Sequence, residues 1–75
     1  MRSEASFNSP RMTRLNSSAI RAADYDPASR RMFLWFPNNG PYTFYGVPYH
    51  VFQGLLSASS AGTYYNRHIR GRYTA

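Results

Sequence analysis

Residues 31–45 read RMFLWFPNNGPYTFY (Arg31 to Tyr45), and this stretch decides the fold. Arg31–Phe36 is rich in aromatic and apolar residues on both faces, which predicts a strand. Pro37–Pro41 has the proline, asparagine and glycine composition of a turn. Tyr42–Tyr45 predicts a further strand. We therefore expect an antiparallel hairpin at the centre of the chain.

The flanking residues predict one more strand and two helices. Ser18–Asp24 is the candidate first strand, and the Asp and Pro residues of 24–29 indicate a turn after it. Beyond the hairpin the apolar period changes to that of a helix, which runs from Pro48 to about Ala58. A second short helix, capped by Ser59 or Ser60, is expected to end at Gly71. The predicted fold is α+β: a three-stranded antiparallel meander followed by two short helices packed on one sheet face.

A hairpin with the loop 37–41 places Phe36 opposite Tyr42. Because side chains alternate along a strand, this pairing predicts which residues lie on each face of the sheet. The face toward the helices comprises Met32, Leu34, Phe36, Tyr42 and Phe44, and it packs on Val51, Phe52 and Leu55. The open face comprises Phe33, Trp35, Thr43 and Tyr45. Pairing Ile20 with Leu34 adds Arg21 beside Phe33, although a one-residue slip would reverse the assignment.

The aromatic open face has three interpretations. Rings interleaved with arginine on an open sheet are typical of a platform for single-stranded nucleic acid. The face is equally well explained by an intramolecular cover, supplied by Phe7 and Met12 of the N-terminal segment. It is also explained by a homodimer formed through the sheet face. The sequence does not separate these three.

Charge is the most informative bulk property. The 75 residues carry a formal net charge of +6, and all nine basic residues are arginines, which suit phosphate pairing and ring stacking. Residues 1–16 are predicted to be a flexible basic arm, and residues 17–75 the folded domain. There is no cysteine, no apolar run near the roughly 20 residues of a membrane span and no signal-peptide pattern. We therefore expect a soluble intracellular protein with an anionic partner.

A second basic cluster lies near the C-terminus. Arg67, Arg70 and Arg72 fall within residues 67–72, where they would clamp a phosphate, pair with the aspartates of residues 24–26, or simply remain solvated. Catalysis has weaker support, because paired acid–base chemistry requires His50 and His68 to converge, and their spacing does not demand it. No metal-ligand spacing or cofactor motif is present. We expect a protein that is not an enzyme and has no metal or cofactor.

The chain resembles the KTSC domain, named after the C-terminal piece of some lysyl-tRNA synthetases. The resemblance covers roughly residues 15–73. It rests on Asn16-Ser-Ser-Ala-Ile20, Tyr25-Asp-Pro27, Phe36, Asn39-Gly40, Tyr42-Thr-Phe-Tyr-Gly-Val-Pro48 and Ser59-Ser-Ala-Gly-Thr-Tyr-Tyr-Asn-Arg-His-Ile-Arg70. It implies a small bacterial or phage protein, and RNA binding has been suggested for the family. Two departures are Phe44 in place of the second tyrosine of the family's Tyr-x-Tyr, and Ala61 where the family often has a basic residue.

Together these observations predict a small non-catalytic module that binds RNA or single-stranded nucleic acid in the cytoplasm of a bacterial or phage-infected cell. The expected contact residues are Phe33, Trp35, Tyr45, Arg21, Arg67, Arg70 and Arg72. The alternative is a protein-interaction adaptor, of bacterial or phage origin, whose aromatic face contacts an acidic protein.

Overall fold

The computed structural model describes residues 13–73. A four-stranded antiparallel sheet has its strands in chain order, with helices on one face. The strands are β1 (Thr13–Arg14), β2 (Ala22–Asp26), β3 (Arg31–Trp35) and β4 (Tyr42–Phe44). Helix α1 spans Tyr49–Ser57, and α2 (Ala61–Tyr64) continues directly into a π-helical segment, Tyr65–Ile69. The α+β prediction is confirmed, but the sheet has four strands and not three.

The additional strand comes from the predicted arm. Thr13 and Arg14 pair with Ala23 and Ala22 at the edge of the sheet. The connection back to β2 is fixed by Leu15, whose N–H donates to the Arg21 carbonyl at 2.9 Å. Part of the predicted arm is therefore an edge strand, which sequence analysis does not detect because two residues show no periodicity. Arg2, Arg11, Phe7 and Met12, which the sequence analysis placed in the arm or over the open face, lie outside the described residues.

Strand β2 lies later in the chain than predicted, and its register differs. The Ser17 hydroxyl accepts from the Ala19 N–H at 3.0 Å, so this segment forms a turn before the strand begins. Ala23, and not Ile20, is opposite Leu34. This shift of three residues is odd, so it exchanges the two faces of the strand. The prediction that Arg21 lies beside Phe33 is wrong, because Asp24 occupies that place.

The central hairpin is also displaced, but by an even number of residues. Leu34 is opposite Tyr42, and Met32 is opposite Phe44, so the predicted Phe36–Tyr42 pair does not form. Phe36 instead exchanges backbone hydrogen bonds with Asn39 inside the loop, at 2.8 and 3.3 Å. Because the shift is two residues, the face assignments of β3 and β4 remain as predicted.

The loop between β3 and β4 depends on Gly40. Its φ is +126°, and the Gly40–Pro41 peptide is cis. A Cβ added at Gly40 would lie 2.9 Å from the Trp35 Cα. Both the conformation and the close approach of the two backbones therefore favour glycine at this position.

The helical layer agrees with the predicted boundaries. Pro48 immediately precedes α1, and the Ser60 hydroxyl caps α2 by accepting from the Thr63 N–H at 3.3 Å. The π-helical segment that continues α2 ends where predicted, with Arg70 as its cap residue and Gly71 at a φ of +83°. The Arg70 N–H donates to the Tyr65 carbonyl at 2.8 Å, which closes the wide π-helical turn.

One core joins the sheet and the helices. Its fully buried members include Leu34 from the sheet, Leu55 from α1 and Ile69 from the π-helical segment. The complete core cluster contains Ile20, Ala23, Met32, Leu34, Phe44, Val47, Val51, Phe52, Leu55, Ala61 and Ile69. Tyr42 was predicted to be a core residue, but it is 44% exposed, and its ring rests against Phe36 at the sheet edge.

Candidate nucleic-acid interface

A pocket on the open sheet face is built around the only tryptophan of the chain. Alternation along β3 buries Leu34 beneath the helices and turns Trp35 to the opposite face. Arg14 is opposite Ala22, and Ala22 is opposite Trp35, so three strands contribute to one row. The small Ala22 side chain lies between the arginine and the indole. The pocket has a volume of about 270 Å³ and is lined by Arg14, Arg21, Ala22, Trp35, Phe36 and Pro37. We call it the Trp35 pocket.

Positive charge dominates the Trp35 pocket. Within residues 13–73 the ion pair present joins Arg31 to Asp26 at 3.5 Å. Arg14 and Arg21 therefore have no carboxylate partner in this part of the chain, and both side chains are exposed. An indole beside two guanidinium groups presents a ring for stacking and donors for an anion.

The Phe33 end of the same face has a different character. Phe33 lies between Asp24 on β2 and Thr43 on β4. The Arg31 guanidinium carbon is 5.7 Å from the centre of the Phe33 ring, so the ring already has a cationic partner. The Asp24 carboxylate would repel a nucleic-acid phosphate, and the Phe33 ring already contacts Arg31. This end of the sheet face is therefore less suited to a nucleic-acid strand than the Trp35 pocket.

Arg31 is held over Phe33 by Asp26. The Ser29 hydroxyl donates to the Asp26 carboxylate at 2.7 Å, and the Arg31 guanidinium lies 3.5 Å from it. The Ser29 hydrogen bond is the largest cause that lowers the pKa of Asp26 below its ordinary value of 3.8. Desolvation opposes it and is the second-largest effect, and the Ala28 N–H and Arg31 lower the pKa further. This carboxylate remains charged at neutral pH and keeps Arg31 away from a nucleic-acid phosphate.

The other predicted contact residues are not all near Trp35. Tyr45 follows β4 and is 57% exposed. Arg67 and Arg70 belong to the helical layer, which covers the sheet face opposite Trp35. Arg72 follows the same helix. The structure therefore does not bring the C-terminal arginines together with the aromatic face.

Arg72 lines a different pocket, between the start of α1 and the C-terminal helix. This pocket has a volume of about 360 Å³ and is lined by His50, Val51, Tyr64, His68, Arg72 and Tyr73. The two histidines that sequence spacing does not bring together thus line one cavity. The sequence could not have indicated this shared pocket clearly, because the distance between the two histidines depends on how the two helices pack. We call this the His50–His68 pocket.

Residues 13–73 contain no cluster of three or more His, Asp or Glu side chains that could hold a metal ion. No helix in that range has the length and apolar character needed to cross a membrane. The arrangement instead offers two separate cationic and aromatic pockets, one on each layer of the domain.

Residues 13–73 thus form a small α+β domain, and comparison with known proteins gives its family. The KTSC domain family model matches residues 16–73, and the chain belongs to this family. A crystal structure of a KTSC domain protein from Yersinia pestis superposes with a TM-score of 0.82 at 30% sequence identity, covering 88% of this chain and 93% of that one.

Two sequence relatives show the settings in which the domain occurs. A protein of Tsukamurella paurometabola is 42% identical over 64 residues, which cover 85% of this chain and 96% of the relative. A lysine–tRNA ligase of a Nostoc species is 32% identical over 56 residues, which cover 75% of this chain but 10% of the ligase. The domain thus accounts for nearly all of one relative and a small part of the other.

Proposed function

We propose that this KTSC domain binds single-stranded RNA at the Trp35 pocket, as a module without catalytic activity. The observation that carries the proposal is the row of Arg14, Ala22 and Trp35 across β1, β2 and β3, on the sheet face opposite the helices. Arg21, which precedes β2, lines the same pocket. The proposed binding surface is smaller than the one predicted from the sequence, because it does not include Phe33 or the arginines of the C-terminal segment.

The pocket suits one base and the phosphates beside it. A base stacked on an aromatic side chain contributes about 1–3 kcal/mol, largely independent of base identity. Each arginine supplies charge-assisted donors for a phosphate oxygen. The binding should therefore be weak, tolerant of sequence and sensitive to salt.

Two further observations favour RNA over other anions. The net charge of +6 attracts a polyanion. The lysine–tRNA ligase relative is, by its name, an enzyme that acts on a tRNA, and a domain like this one forms part of it. With an RNA ligand, the proposal is that the protein acts in the cytoplasm.

The test is a titration of labelled single-stranded RNA at several salt concentrations. For wild type, Arg14 and Arg21 together predict a slope of log affinity against log salt of about −1.4, or roughly −0.7 for each phosphate. Arg21→Ala should weaken binding and reduce the magnitude of the slope by about 0.7. Arg67→Ala is the matched control, because it removes the same charge from the helical layer and should leave the short-range contacts intact.

Trp35→Ala separates stacking from charge. It should raise the Kd by about 5- to 150-fold, the equivalent of one stacked base, with the salt slope unchanged. Circular dichroism of the variant establishes that the domain remains folded. Equal effects of Arg21→Ala and Arg67→Ala, or no effect of Trp35→Ala, would rule out the Trp35 pocket as the binding site.

Two other outcomes decide between the proposal and its alternatives. An absence of RNA binding at about 50 mM salt, where phosphate contacts are strong, would favour the protein adaptor or a dimer formed through the sheet face. Because His50 and His68 line one pocket, the RNA should also be analysed on a denaturing gel after incubation. Intact RNA is expected, and cleavage that is lost in His68→Ala would show that the domain is an enzyme.

A further inference from the structure

The His50–His68 pocket has no role in the proposed RNA contact. It lies on the helical layer, separated from Trp35 by the sheet and the core. Its volume of about 360 Å³ exceeds that of the Trp35 pocket, at about 270 Å³. It also falls within the size range, beginning at roughly 300 Å³, of pockets that take small ligands.

Every polar side chain that lines this pocket can donate a hydrogen bond. Arg72 supplies a permanent positive charge with a fork of N–H donors. Both imidazoles and the phenols of Tyr64 and Tyr73 are also able to donate. Within residues 13–73, no hydrogen bond to an imidazole occurs, while the nearby polar pairs join Gln53 to Tyr49 and Arg70 to Asn66.

Among residues 13–73, no carboxylate lines the pocket. The acidic residues of the described chain are Asp24 and Asp26, both on β2, and Asp26 already accepts from Ser29 and Arg31. A cavity with one fixed cation, two imidazoles and no acid favours an oxyanion over a cation or a neutral ligand.

Two features of the backbone position the pocket walls. Gly54 leaves room on α1 for the Tyr64 ring, since an added Cβ would lie 2.7 Å from its Cζ. The Tyr64 ring in turn packs on His68, with the ring centres 4.5 Å apart. His68 lies in the π-helical segment, a geometry that often occurs at functional sites. Buried Ile69 next to it anchors the segment in the core.

We infer that the His50–His68 pocket binds a phosphate monoester, with Arg72 and the two imidazoles holding the phosphate and Tyr73 beside the group that carries it. This chemistry has three sources: free phosphate, a nucleoside 5′-monophosphate, and the 5′-phosphate at the end of an RNA strand. The inference does not rest on RNA binding at Trp35.

The first experiment follows the imidazole resonances of His50 and His68 by NMR during a titration with inorganic phosphate. Saturable shifts at both histidines are expected, with a Kd in the millimolar range. Arg72→Ala should weaken binding by about tenfold, as expected for one charge-assisted hydrogen bond. Arg67→Ala is the matched control, because this exposed arginine lies in the same π-helical segment as His68 but does not line the pocket.

The remaining arms identify the source of the phosphate. A nucleoside 5′-monophosphate is titrated against the unphosphorylated nucleoside, and a short 5′-phosphorylated RNA against its 5′-hydroxyl form. In each pair the phosphorylated ligand should shift both imidazole resonances, and the other should not. The tightest phosphorylated ligand identifies the source.

The inference is overturned if phosphate produces no saturable shift at either histidine. It is also overturned if Arg67→Ala weakens binding as much as Arg72→Ala, or if the unphosphorylated nucleoside binds as well as the monophosphate. Trp35→Ala distinguishes phosphate binding in this pocket from RNA binding at Trp35. This variant should lose the RNA contact at Trp35 and retain the phosphate-induced shifts of the two histidines.

Discussion

Replacing Gly54 by alanine should have opposite effects on stability depending on whether Tyr64 is present. Gly54 lies inside α1, where alanine would normally be the better helix former. An alanine Cβ at this position would, however, lie 2.7 Å from Tyr64 Cζ and 2.9 Å from its Cε2. These distances are far inside van der Waals contact, so the ring must move away from α1.

The expected free energies follow from these two competing effects. Alanine in place of an interior helical glycine stabilises by about 0.8–1.0 kcal/mol. Forcing extra volume into a packed site costs about 1–3 kcal/mol. In the wild-type background the net change should be a loss of up to about 2 kcal/mol. In a Tyr64→Ala background the clash is absent, and the same substitution should stabilise by nearly the full helix-propensity difference.

Urea unfolding of the four proteins of this double-mutant cycle measures the coupling between the two residues, which should be about 1–3 kcal/mol. Gln53→Ala is the control, because Gln53 is an exposed neighbour on α1 and its effect should be the same in both backgrounds. An equal change for Gly54→Ala with and without Tyr64 would refute the described packing of α1 against the C-terminal helix.

Three further variants test the sheet and its turns. Leu34→Ala removes a fully buried side chain and should cost about 2–5 kcal/mol in chemical denaturation, and a near-wild-type curve would contradict the core assignment. Gly40→Ala should lower the melting temperature, because its φ is +126° and the new Cβ meets the Trp35 backbone; an unchanged melting temperature would contradict the loop geometry. The lowered pKa of Asp26 stabilises the fold above the unfolded pKa of about 3.9, and this contribution disappears as the pH falls through the folded pKa. Ser29→Ala should raise the Asp26 pKa in an NMR titration, and an unchanged pKa would show that the Ser29 hydroxyl is not its main cause.

The sequence was sufficient to predict features that depend on local patterns. Period-two alternation in β3 correctly separated Leu34 from Trp35, and an even slip of the hairpin did not alter that separation. Turn chemistry correctly indicated the turn that contains Gly40, and the second helix ends before Gly71 as predicted. The predicted register of β2 was wrong because its alanines do not alternate with polar residues. The sequence therefore did not indicate which face of the strand is buried.

The candidate site required tertiary information at two points. Arg14 reaches the Trp35 pocket through a two-residue edge strand, which is too short to show periodicity. His50 and His68 line one pocket because α1 packs against the C-terminal helix, with Tyr64 resting on Gly54. Sequence analysis named both histidines, but only the contact between the helices brings them to one pocket.

The most direct test of the RNA-binding proposal uses the intrinsic fluorescence of Trp35, since the chain contains one tryptophan. Unlabelled single-stranded RNA is titrated into the protein at low salt, and the Trp35 emission is recorded. In a parallel titration, the anisotropy of a labelled strand of the same sequence is measured. The proposal predicts saturable quenching of Trp35 with the same midpoint as the anisotropy change, and a weaker midpoint in Arg21→Ala. RNA binding seen by anisotropy with unchanged Trp35 emission would contradict the proposal, because the strand would then contact another surface.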